Sequence, residues 1–269
     1  NYATQFIHNK MICTAAFTLL ALNVEAQKKP LDLTVFDEWQ SIGKKELSNN
    51  GAWVAYQVNA QASDNNLNFF DLRTNQALVF NRGEQSVFTS DSKFALFKIR
   101  PFYSDLKLVR IKKKKENEIA KDSIGILNLT TKQVEKLPQI KSFKVPEKGG
   151  SFLAYLLEKE EPKKAKADST KVVQSKSTKN STKDKKDIPL ELVVRNLLSG
   201  QKKSFKNVLN YEFSENGNQL IFSTKQEKKD SLDQTKYGVY LLNTKTFIEK
   251  QLVDTIGDFK QFAFDEHSN

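Results

Sequence analysis

A chain of 269 residues, 38% hydrophobic and 28% charged with ten glycines, has the composition of an ordinary soluble protein with a sizeable core. Its one cysteine, Cys13, excludes a disulfide framework and any cysteine-pair metal site. The net charge of +11 would suit a polyanion, but the lysines gather in two tracts without interleaved aromatics, and no nucleic-acid partner is expected.

From the N-terminus, Ile12 to Val24 is an apolar run preceded by Lys10 and closed by Val24-Glu-Ala26. Its length and small last residue fit a signal peptide over 1–26, cleaved between Ala26 and Gln27. The run is too short to span a bilayer. The competing reading is a buried N-terminal helix. With a signal, the protein is expected to be exported, periplasmic or extracellular, with no membrane span after cleavage. Cys13 sits at the start of the run, where lipid attachment does not occur, and leaves with it.

Beyond Pro30 the chain repeats itself. Leu47-Ser-Asn-Asn-Gly51-Ala-Trp-Val-Ala-Tyr56, Phe88-Thr-Ser-Asp-Ser92-Lys-Phe-Ala-Leu-Phe97 and Phe213-Ser-Glu-Asn-Gly217-Asn-Gln-Leu-Ile-Phe222 share one pattern. Glu147-Lys-Gly-Gly150-Ser-Phe-Leu-Ala-Tyr155 is a further copy with one extra residue before its turn. Each reads as a tight turn followed by a short alternating strand. An aromatic (Tyr56, Phe97, Tyr155, Phe222) stands five residues after the turn position, with Val54, Ala95, Leu153 or Leu220 two before it. That makes one strand face apolar. Trp53, Phe94, Phe152 and Gln219 occupy the other. Ser92 replaces Gly in the second copy, which a type I turn tolerates.

A second motif interleaves with the first. Asp71-Leu-Arg-Thr74, Asn128-Leu-Thr-Thr131, Asn196-Leu-Leu-Ser199 and Asn243-Thr-Lys-Thr246 each end an apolar run, as Asx turns between antiparallel strands do. From the first three Asx turns to the next Gly-type turn is 21 or 22 residues; from each Gly-type turn to the next Asx turn is 20, 36, 46 and 26. A constant half and an elastic half predict four-stranded repeats with insertions in one connection per repeat, all on one face. Repeats of this size and strand content are those of β-propeller blades. A sandwich lacks the two alternating turn types, and an outer-membrane barrel needs longer, less charged strands.

The fold predicted is therefore all-β: an incomplete propeller over residues 30–269, of about four four-stranded blades and the start of a fifth. Within it, Lys112 to Lys115 is a basic run, and Glu158 to Pro189 is a Lys/Ser/Thr tract expected to be a disordered insert. Phe262-Ala-Phe264-Asp-Glu-His-Ser268 copies the approach to a fifth Gly-type turn. The expectation is a truncated sequence whose Phe262 and Phe264 belong to an unpaired strand.

The search for chemistry returns no catalytic, cofactor-binding or metal residue. No Gly-x-Ser-x-Gly elbow, Walker loop or His-Glu-x-x-His occurs. The histidines are His8, in the signal, and His267, in the last turn. Glu160-Glu161 lies in the low-complexity tract, where a solvated pair is expected. Asn128-Leu-Thr130 and Asn180-Ser-Thr182 match a glycosylation pattern, but Asn128 is accounted for as a turn residue.

Leu33-Thr-Val-Phe-Asp37-Glu-Trp39 with Ser41-Ile-Gly43, then Phe97-Lys-Ile-Arg-Pro101-Phe, Lys112–Lys115 and Lys121-Asp-Ser123, occur in an order that resembles exported peptidases of the prolyl oligopeptidase and dipeptidyl peptidase family from Bacteroidetes-type bacteria. Ile140-Lys-Ser-Phe143-Lys-Val-Pro146 and a Lys-rich insert before Leu192-Val-Val-Arg-Asn196-Leu are similar as well. The resemblance covers about Pro30 to Asn269. It implies a propeller that gates a C-terminal α/β-hydrolase domain holding the Ser, Asp and His, with peptide substrates and no cofactor. That domain is absent from this sequence, so no catalytic position carries over and the fragment alone is expected to be inactive. The alternative is a non-enzymatic periplasmic propeller binding a protein or glycan.

Overall fold

The protein is described from a computed structural model covering residues 36, 39–112, 120–158, 188–225, 237–255 and 257–265. The chain divides between Glu38 and Trp39, and every described strand lies in the second part. Of the first part only Phe36, helical and exposed, is described. The predicted signal, Lys113–Lys115, almost all of the 158–189 tract and Ser268 lie outside the described residues.

The fold is mostly β. Strands β1 (Gln40–Leu47), β2 (Trp53–Ala60), β3 (Asn66–Asp71) and β4 (Gln76–Asn81) form one antiparallel sheet in chain order. A second sheet contains β5 (Gly83–Phe88), β6 (Phe94–Ile99), β7 (Ser123–Asn128) and β8 (Val134–Leu137). A third, of seven strands, runs β9 (Ile140–Lys144), β10 (Phe152–Leu157), β11 (Leu190–Asn196), β12 (Lys202–Phe213), β13 (Gln219–Thr224), β14 (Gly238–Asn243) and β15 (Glu249–Val253). Strand β12 serves twice. Lys202 to Val208 pair with β11, and Val208 to Phe213 pair with β13. The described strands thus form four repeats of four, the last two joined through one shared strand.

Both turn motifs have local causes. In the Gly-type turn the Ser48 hydroxyl accepts from the Trp53 amide (2.9 Å) and donates to Asn50 Oδ1 (2.8 Å), while Gly51 N donates to Ser48 O (2.8 Å). Thr89/Asp91 and Ser214/Asn216 repeat the arrangement. The fourth turn residue is left-handed: φ is 69° at Gly51, 68° at Gly217 and also 54° at Ser92. Ser92 closes its turn by donating N–H to Thr89 O (2.8 Å), in a left-handed conformation that Gly adopts more readily. Its strained backbone is offset by a bond its hydroxyl accepts from Asn50 N of the preceding repeat, at 3.1 Å. In the Asx turns Asn128, Asn196 and Asn243 each accept from two amides with Oδ1 at 2.9–3.1 Å. The Thr or Ser three residues on accepts weakly from the amide two positions later, at 3.3–3.4 Å.

Strand alternation places both turn types at one end of the sheets. The second strands finish and the third strands begin at the other, where the second-to-third-strand connections (61–65, 100–122, 158–189 and 225–237) start and end. These connections are the elastic half of the repeat. The constant half runs from an Asx turn through a fourth strand into the next repeat, so its length is set by the spacing of two packed sheets, ~10 Å. One left-handed residue makes each crossing: Arg82 (φ 65°), Gln139 (φ 58°) and Asn207 (φ 58°).

The sheets pack face to face through three cores. Because β6 is buried on both faces, Ala95, Phe97 and Ile99 join Trp53, Leu67 and Phe69 of repeat 1, while Phe94 and Leu96 join Leu153, Tyr155 and Val193 of repeat 3. Phe152, Leu192 and Val194 of repeat 3 meet Leu220, Phe222 and Leu242 of repeat 4. In repeats 2 to 4 the aromatic five residues past the turn (Phe97, Tyr155, Phe222) faces the preceding repeat, and in repeats 1 to 3 the one two past it (Trp53, Phe94, Phe152) faces the following repeat. Burying each such ring stabilises the stack by about 2–3 kcal/mol relative to exposure.

Residues 261–265 join no ladder among the described residues. Just ahead of them, Phe259 O accepts from Asn210 Nδ2 (3.1 Å) and Ser223 Oγ (3.3 Å). The 100–122 connection contains a helix, α1 (Tyr103–Ile111), where no helix was predicted.

Candidate functional site

The residues that could do more than hold the fold gather at the elastic-loop end. Strand β6 leaves the core at Ile99, and Arg100 N donates to Arg82 O across the first repeat junction (2.9 Å). The Arg82 guanidinium returns a bond to Arg100 O (3.0 Å) and lies 3.9 Å from the centre of the Phe102 ring. Arg100 in turn pairs with Glu84 (3.5 Å) and Asp122 (3.2 Å), and Lys98 also reaches Asp122 (3.4 Å). Pro101 is buried and sets the chain extended just ahead of α1.

Asp64, from the β2–β3 connection, accepts from the Tyr103 amide at 2.7 Å. The first turn of α1 is thus capped by another repeat, since Phe102 at its N-cap supplies no side-chain bond. Between these groups lies a shallow cavity of about 240 Å³ lined by Asp64, Arg82, Glu84, Arg100, Tyr103 and Leu106 among others. Arg100 and Glu84 pair with each other, Asp64 is held by the Tyr103 amide and Arg82 by the Arg100 carbonyl, which suits a rigid platform better than proton transfer.

Along the first strands of repeats 3 and 4, Ser142 Oγ and Tyr211 OH stand 3.1 Å apart, and Lys144 pairs with Glu212 beside the Tyr211 ring. Burial pushes the Tyr211 phenol well above its ordinary value against that hydrogen bond, so it stays protonated and is a poor base. Among the described residues no group of three or more His, Cys, Asp or Glu could hold a metal. No helix among them is long and apolar enough to cross a membrane.

Of the residues weighed in the sequence, Cys13, His8, His267, Glu160, Glu161 and Asn180 lie outside the described residues. Asn128 is a turn residue, as expected, with Oδ1 bonded to the Thr130 and Thr131 amides. Lys112 is the C-cap of α1. Sequence reasoning missed Asp64, Arg82 and Tyr103. The apolar spacing Tyr103, Leu106, Val109 after a proline was the available sign of α1; nothing in the sequence announces Asp64 as its cap.

No protein-family model matches the chain, and no curated protein does. Solved structures do. The β-propeller domain of the Trilobed protease from Pyrococcus furiosus aligns at a TM-score of 0.44 and 11% identity, covering 81% of this chain and 59% of that one. Pyrococcus horikoshii acylaminoacyl peptidase gives 0.44 and 11%, with 81% and 33% covered. A structure from a study of two prolyl endopeptidases gives 0.46 and 11%, with 82% and 30% covered. The chain thus spans less than two thirds of each of these structures. At such identities and scores the likenesses assign neither activity nor partner.

Proposed function

We propose that this chain is an incomplete β-propeller of four blades and the start of a fifth, and that it belongs to an exported serine peptidase of the prolyl oligopeptidase type. There it restricts access of peptides to an α/β-hydrolase domain encoded beyond Asn269. The observation that carries the propeller reading is the serial packing: the second and third four-stranded meanders each bury one face on the meander before and the other on the one after, and the first and last each bury one face. The two outermost faces support its being incomplete. On repeat 1, Ile42, Leu47 and Val79 are exposed, and on repeat 4 Ile248 is exposed beside Gln219. Further blades would cover them. The ordered motifs from Leu33 to Leu197 support the peptidase reading.

The test is the complete reading frame. It should continue into further blades and then a Gly-x-Ser-x-Gly elbow at a strand-to-helix turn, with an Asp and then a His following. The purified protein should react with a fluorophosphonate probe at that Ser, and its Ser→Ala variant should not. A frame without the elbow, or a protein that does not label, would leave a propeller that binds a protein or glycan.

A further inference from the structure

We infer that α1 is the docking element for the domain that follows the last repeat of this chain, through an apolar patch with an acidic rim on that domain; the inference rests on the peptidase reading above. No side chain of α1 is buried, and Leu108 and Ile111 are 50% and 67% exposed. They lie three residues apart, on the face opposite half-buried Leu106 and Val109. A nine-residue helix with so little burial is not stable by itself in water. Yet this one is fixed at its start from two directions, by Asp64 at the Tyr103 amide and by Arg82 against the Phe102 ring. The fold thus orients a helix whose outward face meets nothing among the described residues.

Two features specify the occupant. The first is chain direction. Strand β1 begins at the loop end, where Gln61 N donates to Trp39 O (3.2 Å), and every fourth strand finishes at that same end. A domain that follows a fourth strand therefore emerges at the end of the sheets that carries α1, not at the end that carries the turns. The second is charge. Lys107, Arg110 and Lys112 flank the Leu108/Ile111 pair, against Asp105 alone. A partner patch that is apolar at its centre and acidic at its rim complements this face, with the basic rim steering and orienting the contact.

The experiment places a photo-crosslinking residue, Leu108→p-benzoylphenylalanine, in the full-length protein. Leu108 is half exposed, so the exchange leaves the fold intact. The cross-linked peptides are identified by mass spectrometry, and the same sample is treated with the fluorophosphonate probe. Cross-links to the domain beyond the last repeat are expected, and they should fall at least fivefold when Lys107→Glu and Arg110→Glu are added. Cross-links to a second copy of the chain, or to propeller strands alone, would overturn the inference. Probe labelling without cross-links to the following domain would overturn the docking role and leave the peptidase reading standing. Cross-links to a following domain that does not label would support docking while removing the peptidase reading.

Discussion

Replacing Gly125 by alanine should loosen the core between repeats 1 and 2. Gly125 on β7 is the cross-strand partner of Phe97 on β6. A Cβ built there would lie 2.3 Å from Phe97 Cζ and 2.7–2.8 Å from both ring ε carbons. Carbon–carbon contacts prefer 3.5–4.0 Å, so the ring would have to move by roughly 1.2 Å or more. It has nowhere to go: Phe97 is fully buried, with the Phe80 and Phe69 ring centres 4.7 Å and 5.6 Å away. Overpacking by one methyl in such a site costs about 1–3 kcal/mol. Because ~1.4 kcal/mol is tenfold in an equilibrium constant, β6 and β7 amides that open with this core should exchange roughly 5- to 150-fold faster. Hydrogen exchange of the full-length protein, read on peptides from these strands, measures this. Phe97→Leu removes the ring atoms that collide, so Gly125→Ala should cost little more in that background. A Gly125→Ala protein whose β6–β7 exchange stays within twofold of wild type, or an equal acceleration in both backgrounds, would refute the reasoning.

Two further outcomes follow from the turns and crossings. Burial disfavours the Asp91 carboxylate, but bonds from the Ser151 and Thr89 hydroxyls and the Lys93 amide together hold it below its ordinary value of 3.8. A depressed folded value stabilises the fold at pH above the unfolded value and loses that effect as pH falls through the folded one. The melting-temperature gap between wild type and Asp91→Asn should therefore be constant above about pH 5 and narrow below about pH 4; a gap undiminished at pH 2.5 would contradict it. At Asn207, with φ 58° inside β12, valine should destabilise by about 1–3 kcal/mol in denaturant titration and glycine by less than about 1. Equal midpoints for the two variants would show that the left-handed backbone is not what matters there.

Much of this architecture was legible in the sequence because it is local. Ser48 to Asn50 and Asn196 to Ser199 satisfy their own backbones within a few residues, so their types and spacings survive in the chain as a visible repeat. The apolar pattern of β6 and β10 likewise announced buried strands. What stayed hidden depends on contacts between repeats. Ser92 tolerates a left-handed backbone because the turn of repeat 1 donates to its hydroxyl. Asp64 caps a helix 39 residues downstream. Gln219 breaks the aromatic pattern at the one copy whose face looks away from the other three repeats.

The shared strand β12 sets where this protein could be cut. Between repeats 1 and 2 the strand is interrupted for one residue at Arg82, whose N still donates to Asn65 O and whose O accepts from Arg100 N, and between repeats 2 and 3 it is interrupted at Pro138-Gln139. At Asn207 the chain bends but does not leave the ladder, and a break there would divide a seven-stranded sheet. New termini should accordingly be tolerated best at Pro138-Gln139 and worst at Asn207, although every repeat shares a buried core with its neighbour.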